Sequence, residues 1–222
     1  MSDKTVIVLT SKNRLPFLRH TVEALLASER DDAIFVAVDN GSTDGSLDYL
    51  RNSKLFEKVF ENSANVPHWQ KSFAICQGHR FARAEHVDFC YFGWIDDDIV
   101  VKPAWLITAH KVLRGLPKIA VASMHNDSLQ EIKHKTVRVE PVGNVKVRIK
   151  NTANGALWVV RRGFFNTYGL PPVDHRSVSR CSKDDDTYNQ RFKGKELFGV
   201  VDDMAKHIGY KQSQRKREMR KK

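Results

Sequence analysis

Three observations predict an α/β fold built on a mostly parallel sheet. Short β-branched runs alternate with stretches of helical periodicity through the first 124 residues. The runs are apolar throughout, which is the pattern of strands buried on both faces. Three polar clusters, SKNR (11–14), DNGSTD (39–44) and DDD (96–98), each directly follow such a run. Alternating strands and helices make βαβ units. Ligands bind such sheets outside the carboxyl ends of the strands. A single crevice shared by the three clusters is therefore expected.

The elements follow in order. TVIVLT (5–10) is the first strand. Leu15, Leu18, Val22, Leu25 and Leu26 then recur at helical spacing, with Pro16 in the first turn. AIFVAV (33–38) is the second strand and ends in DNGSTDGS, a turn-and-cap signal. Asp44 or Ser42 is placed to cap the next helix, whose Leu47 and Leu50 face inward. A third helix carries Trp69, Phe73, Cys76 and Phe81 on one face. VDFCYFGWI (87–95) is the third strand, Pro103 opens a helix with Leu106, Ala109 and Leu113, and IAVASM (119–124) is a further strand.

The alternation then breaks. TVRVEPVGNVKVRIK (136–150) has period two around a Pro/Gly/Asn turn and reads as a hairpin. Val137, Val139, Val145, Val147 and Ile149 are expected on one face, with Arg138, Lys146, Arg148 and Lys150 on the other. A strand at NGALWVV (154–160), a helix at RRGFFNTYG and a second helix at KDDDTYNQRFKGK, with acids in its first turn, complete the reading. One domain (1–210) is expected. Its half 1–110 suits a nucleotide, its half 111–210 suits an acceptor, and a basic tail (211–222) follows.

With 222 residues the chain suits one α/β domain with a real core. It holds no run of about 18 apolar residues. MSDKTVIVLT lacks the pattern of a signal peptide. Cys76, Cys90 and Cys181 are odd in number and scattered, as free thiols in a reducing compartment would be, so a cytoplasmic location is expected. The net charge of +11 is uneven: −3 over 1–110, +8 over 111–162, zero over 163–210 and +6 over 211–222. Such excesses suit phosphate-rich partners, either nucleic acid or an anionic membrane surface.

The stretch FGWIDDDIVVKPAWL sets Asp96, Asp97 and Asp98 between two apolar runs. Like charges so placed need something positive beside them. Hard divalent cations take oxygen ligands, and Mg²⁺ or Mn²⁺ commonly joins one or two carboxylates to substrate phosphates. No GxxxxGK[ST] or GxGxxG loop is present to hold phosphates in another way.

Four segments, in this order, resemble the glycosyltransferases of family 2, which have the GT-A fold. TVIVLTSKNR resembles the family's first strand and its end. VAVDNGSTDGSLDYL resembles its second strand and turn. IDDDIVVKPAWL resembles its DXD motif. NGALWVVRRGFFNTYG with KDDDTYNQRFKGK resembles the acceptor-side strand and acidic helix. The resemblance implies that Ser11, Asn13 and Arg14 lie at the base and phosphates of a nucleotide sugar, and that Asp39 bonds the base, usually uracil. Asn40 stands where the family often has a second Asp, and Lys12 where an aromatic often stacks.

It also implies that Asp96 and Asp97 belong to the nucleotide-sugar site, one or the other holding the ribose, and that Asp98 holds Mn²⁺ or Mg²⁺, with the late His207 as a second ligand. Asp185, between Asp184 and Asp186, is the implied general base of an inverting transfer. Trp94 and Trp158 are assigned to the core, and His125, His134 and His175 receive no role. Arg138, Lys146, Arg148 and Lys150 are the expected acceptor-binding cations. A polyanionic acceptor such as hydroxymethylated DNA fits them, and peripheral synthesis of a polysaccharide or lipid-linked glycan is the alternative. A silent nucleotide-binding relative would have lost the acids. A nucleotidyltransferase would show a glycine-rich loop where TSKNRLPFL has no glycine.

Overall fold

The computed structural model describes residues 4–30, 32–63, 71–125, 132–171, 188–189, 191–192 and 194–209. The first half runs β1 (Thr5–Ser11), α1 (Leu15–Leu26), β2 (Ala33–Asp39), α2 (Ser46–Asn52), β3 (Phe56–Glu61), α3 (Lys71–Glu85) and β4 (Tyr91–Asp96). It continues through β5 (Ile99–Val101), α4 (Trp105–Gly115) and β6 (Val121–Ser123). The hairpin β7 (Thr136–Val142) and β8 (Val145–Lys150) follows, then β9 (Leu157–Arg161), α5 (Phe164–Tyr168), β10 (Phe198–Val201) and β11 (Ala205–His207).

Among the described residues one sheet has nine strands in the order β3-β2-β1-β4-β9-β6-β10-β8-β7, and β11 pairs with β5 in a separate ribbon. Seven of the nine strands run the same way, with β9 and β8 reversed. The expected α/β architecture is therefore present. β9 lies between β4 and β6, so the two halves of the chain share one sheet.

Alternation along β1 builds a core on each face. Ile7 and Leu9 pack with Leu18, Val22 and Leu25 of α1 and with Leu106, Ala109 and Leu113 of α4. Val6 and Val8 pack with Ala74, Ile75 and Ala82 of α3 and with Phe164 and Phe165 of α5. Trp94 and Trp158 are core residues, as expected.

Several expectations need correction. The buried face of α3 is Ala74, Ile75, Cys76, Gly78, His79 and Ala82, not the Phe73–Phe81 face. Small residues let this helix close on β1: a Cβ on Gly78 would sit 2.1 Å from Val8 Cγ2. Leu26 is 40% exposed and lies off the buried stripe of α1. Trp69, Cys181, His175, most of the KDDDTYNQRFKGK helix and the tail lie outside the described residues.

The hairpin is present, but its faces are not those expected. Its two-residue turn sets Val142 opposite Val145, hence Val139 opposite Arg148 and Arg138 opposite Ile149. Opposed residues share a face, so Val142 faces the same way as Val145, Val147 and Ile149, whereas Val139 faces away from them. Val147 and Ile149 are in the core, whereas Val137 and Val139 are exposed. Lys150, expected on a solvent-facing cationic surface, is 1% exposed and paired between Thr136 and Phe198. No helix among the described residues is long and apolar enough to cross a membrane.

His79 lies on the buried face of α3 with Phe92 and Phe165 edge-on at 5.3 and 4.7 Å. Burial, helped by Arg83, pushes its imidazole down to about 4. The unfolded chain therefore binds this proton at a higher pH than the folded chain does. Stability should be intact above about pH 6.5 and fall as pH drops toward about 4. Urea unfolding at pH 7 and pH 4.5 should show a smaller acid loss in His79→Leu than in the parent.

Candidate active site

Strand register brings the polar clusters together. Ser11 pairs with Asp39, and Thr10 pairs with Asp96, so β1, β2 and β4 end at the same level. The three consecutive carboxylates sit there in different surroundings: the Asp96, Asp97 and Asp98 side chains are 26%, 7% and 3% exposed.

Each has a cationic neighbour. Lys71 Nζ, at the start of α3, is 2.8 Å from Asp96 Oδ1. Arg14, just before α1, reaches Asp97 Oδ1 at 3.5 Å through Nε and Asp98 Oδ2 at 2.5 Å through Nη2. His207 Nε2, on β11, lies 2.9 Å from Asp98 Oδ2. Ser11 Oγ donates to Asp97 Oδ2 at 2.9 Å, and Thr21 Oγ1 donates to the Asp97 carbonyl at 3.0 Å.

The ribbon β5–β11 delivers His207. Strand β5 starts one residue after Asp98, and His207 pairs with Ile99. The Ile208 N–H donates to the Asp98 carbonyl at 2.9 Å. Gly209 comes next and lies flat on the ion pair: a Cβ there would sit 2.1 Å from both Arg14 Nη2 and Asp98 Oδ2. His125 packs perpendicular to His207, with ring centres 5.8 Å apart.

Asp97 and Asp98 also differ in proton affinity. Burial pushes Asp97 up to about 7, against the pull of Arg14 and with a further push from Asp98. Burial also raises Asp98, but His207 and then Arg14 outweigh it and hold that carboxyl below its ordinary value. Burial lowers His207, and the hydrogen bond and charge of Asp98 overcome it, so the imidazole is shifted up. The result is an ionised Asp98 beside a carboxyl, Asp97, that readily keeps its proton near neutrality.

The turn after β2 is organised by its own side chains. Asp39 is fully buried; its Oδ1 accepts from the N–H groups of Gly41 and Ser42, and its Oδ2 accepts from Ser42 Oγ. Asn13, at φ 51°, accepts from the Thr43 N–H through Oδ1, and its own N–H donates to Ser42 Oγ. Asn40 Oδ1 accepts from Asn62 Nδ2. Asp44 caps α1, accepting from the Leu15 N–H, and also takes the N–H and Oγ of Ser46. Asp44 or Ser42 was expected at the start of α2; Asp44 does bond Ser46, the first residue of that helix, and joins it to α1. The loops carrying Asn13 and Asp39 are thus one bonded unit.

The structure brings together Ser11, Arg14, Asp96, Asp97, Asp98 and His207, with Asn13, Asp39 and Asn40 beside them on the linked loops. It does not assemble the expected cationic hairpin. Arg148 is paired with Asp202 at 2.8 Å, Arg138 with Glu140 at 2.7 Å and with Glu196, and Lys150 is buried; of the four, Arg138 and Lys146 are exposed. Asp185 lies outside the described residues. Lys71 and His125 were missed. Neither has a local signal, because both depend on contacts between elements far apart in the chain.

The Asp98 carboxylate and His207 imidazole form an oxygen–nitrogen donor pair suited to Mn²⁺. Among the described residues no group of three or more His, Cys, Asp or Glu is placed to hold a metal. Two protein ligands are nonetheless enough where substrate phosphates complete the coordination. A cavity of about 620 Å³ lies elsewhere, lined by Phe17, Ala24, Val100, Lys206 and Ile208 among others, and none of the three carboxylates lines it.

Comparison with known proteins places the chain. A sequence model described as Glycosyl transferase family 2 matches residues 6–167. The chain belongs to glycosyl transferase family 2. A comparison with curated proteins gives no match. Among solved structures, this family 2 chain is similar to the mannosyltransferase PcManGT from Pyrobaculum calidifontis, solved with GDP-Man and Mn²⁺. The TM-score is 0.61 at 16% identity, over 89% of this chain and 56% of that one. It is also similar to S. aureus TarS 1-349 in complex with UDP-GlcNAc, with a TM-score of 0.60 at 15% identity, over 90% of this chain and 56% of that one. The chain thus spans little more than half of these proteins. At such identities the likeness establishes the shared GT-A architecture.

Gly209→Ala should force Arg14 or Asp98 from its place and cost about 1–3 kcal/mol. Gly163→Ala, where a Cβ meets nothing within 4 Å, should change stability by less than about 0.5 kcal/mol. Chemical denaturation of the two variants checks the contrast.

Proposed function

We propose that this chain transfers a sugar from a nucleotide-sugar donor, first of all a UDP-sugar, to an acceptor hydroxyl with inversion, aided by Mn²⁺ or Mg²⁺. The observation that carries this reading is the Asp98–His207 pair in a strand-end cluster of three carboxylates. PcManGT and TarS, solved with GDP-Man and UDP-GlcNAc, support a nucleoside diphosphate sugar as donor.

Asp98 and His207 would hold the cation, whose bound charge offsets that of the departing diphosphate. Asp96, the most exposed of the three acids, is better placed than Asp97 to take the ribose hydroxyls. Asp97 is enclosed by Ser11, Arg14 and Thr21 and serves as the internal anchor. Arg14 is the cation nearest Asp98 and adds a guanidinium for the phosphates. The linked loops of Asn13, Asp39 and Asn40 would frame the base; a ring N–H reaching Asp39 would share its oxygens with the bonds already made there. In the transfer, the acceptor oxygen forms its bond to the anomeric carbon as the bond to the diphosphate oxygen breaks. The acceptor proton passes to Asp185, whose neighbours Asp184 and Asp186 favour proton uptake.

A polyanionic acceptor such as hydroxymethylated DNA is the further reading. It rests on the net positive charge of residues 111–162, of which the hairpin is a part, and of 211–222. Binding to duplex DNA that weakens as salt rises is expected from it. No binding at low salt would overturn it.

Asp98→Ala should abolish Mn²⁺-dependent binding of UDP or GDP measured by calorimetry. Asp185→Asn should leave that binding intact and lower sugar transfer by about a hundredfold or more. The reverse pattern would mean that the two acidic groups have exchanged roles.

A further inference from the structure

We propose that Lys71 is a positioning residue of the donor site, acting through Asp96. The proposal rests on the donor-site reading above. Lys71 is the first residue of α3, and its side chain is 14% exposed. Its Nζ lies 2.8 Å from Asp96 Oδ1 and donates to the Gly155 carbonyl at 2.7 Å.

That carbonyl also accepts from Trp94 Nε1 at 2.9 Å, and the Asp96 N–H donates to the Ala156 carbonyl at 2.9 Å. One ammonium therefore ties together three pieces of chain: the start of α3, the end of β4 and the loop that enters β9. The last belongs to the acceptor-side half.

Asp97 and Asp98 are fixed by burial and by several bonds each. Asp96 is the acid of the cluster most open to solvent, so its carboxylate needs an external hold if it is to meet a ligand in one orientation. Lys71 supplies that hold through one oxygen. Its positive charge also offsets the negative charge gathered at this strand end. An ammonium behaves as a compact point charge with rotatable donors, whereas a planar guanidinium would present its donors to the two acceptors in a different geometry.

The test is calorimetric binding of UDP and of GDP with Mn²⁺ to the full chain and to Lys71→Met, Lys71→Arg, Asp96→Asn and the Lys71→Met/Asp96→Asn double variant. Lys71→Met keeps the apolar stem and removes the charge. It should weaken nucleotide binding about tenfold, a loss typical of a supporting-shell partner. Lys71→Arg should recover part of that loss. The double variant should bind no worse than the weaker single variant, because the two residues act as one unit.

Unchanged affinity in a folded Lys71→Met protein would overturn the proposal, even if its melting temperature fell, since that is the mark of a purely structural lysine. Fully additive losses would overturn it too, by showing that Lys71 acts independently of Asp96. If the parent protein binds neither nucleotide with Mn²⁺, the donor-site reading itself fails and this proposal falls with it.

Discussion

Three carboxylates in succession at the end of a central strand are the constraint on which the site depends. Their mutual repulsion and the loss of water around two of them must be offset by positive charge at close range. No single element supplies it. Arg14 comes from the turn after β1, Lys71 from the start of α3, and His207 from the ribbon that closes near the end of the described chain. The compensation is therefore a long-range contact set that forms only when the fold is complete. Gly209, whose missing Cβ leaves room for Arg14 and Asp98, shows how tightly the last piece is fitted.

The same arrangement divides labour among the acids. Asp97 is enclosed and binds protein. Asp98 is ionised and hydrogen-bonded to His207. Asp96 faces outward under the hold of Lys71. Because Lys71 also grips the Gly155 carbonyl, the end of β4 and the loop into β9 are set by one bond network. The reversed strand β9, lying against β4, is what brings that loop within reach.

Much of the architecture was legible in sequence because β1, β2 and β4 are apolar runs buried on both faces, with polar residues just past their ends. What escaped notice was short or polar. β3, FEKVFE, is half exposed at the sheet edge, and β5 and β11 have three residues each. The hairpin was recognised but its faces were not, since the two-residue turn offsets the alternation on its two strands. Arg138, Lys146, Arg148 and Lys150 look alike in sequence, yet two are ion-paired and one is buried, because side-chain pairing depends on Glu140, Glu196 and Asp202 across the fold. Arg14, Asp98 and His207 were found through the family resemblance. Lys71 was not, because a lysine at the start of a helix has no distinguishing local pattern.

The most direct measurement is anomalous diffraction from crystals grown with UDP and Mn²⁺. One manganese peak is expected, bonded to the Asp98 carboxylate and to His207 Nε2, with the diphosphate on the same ion and the ribose at Asp96. Nucleotide bound with manganese away from this pair, or held in another part of the molecule, would contradict this arrangement.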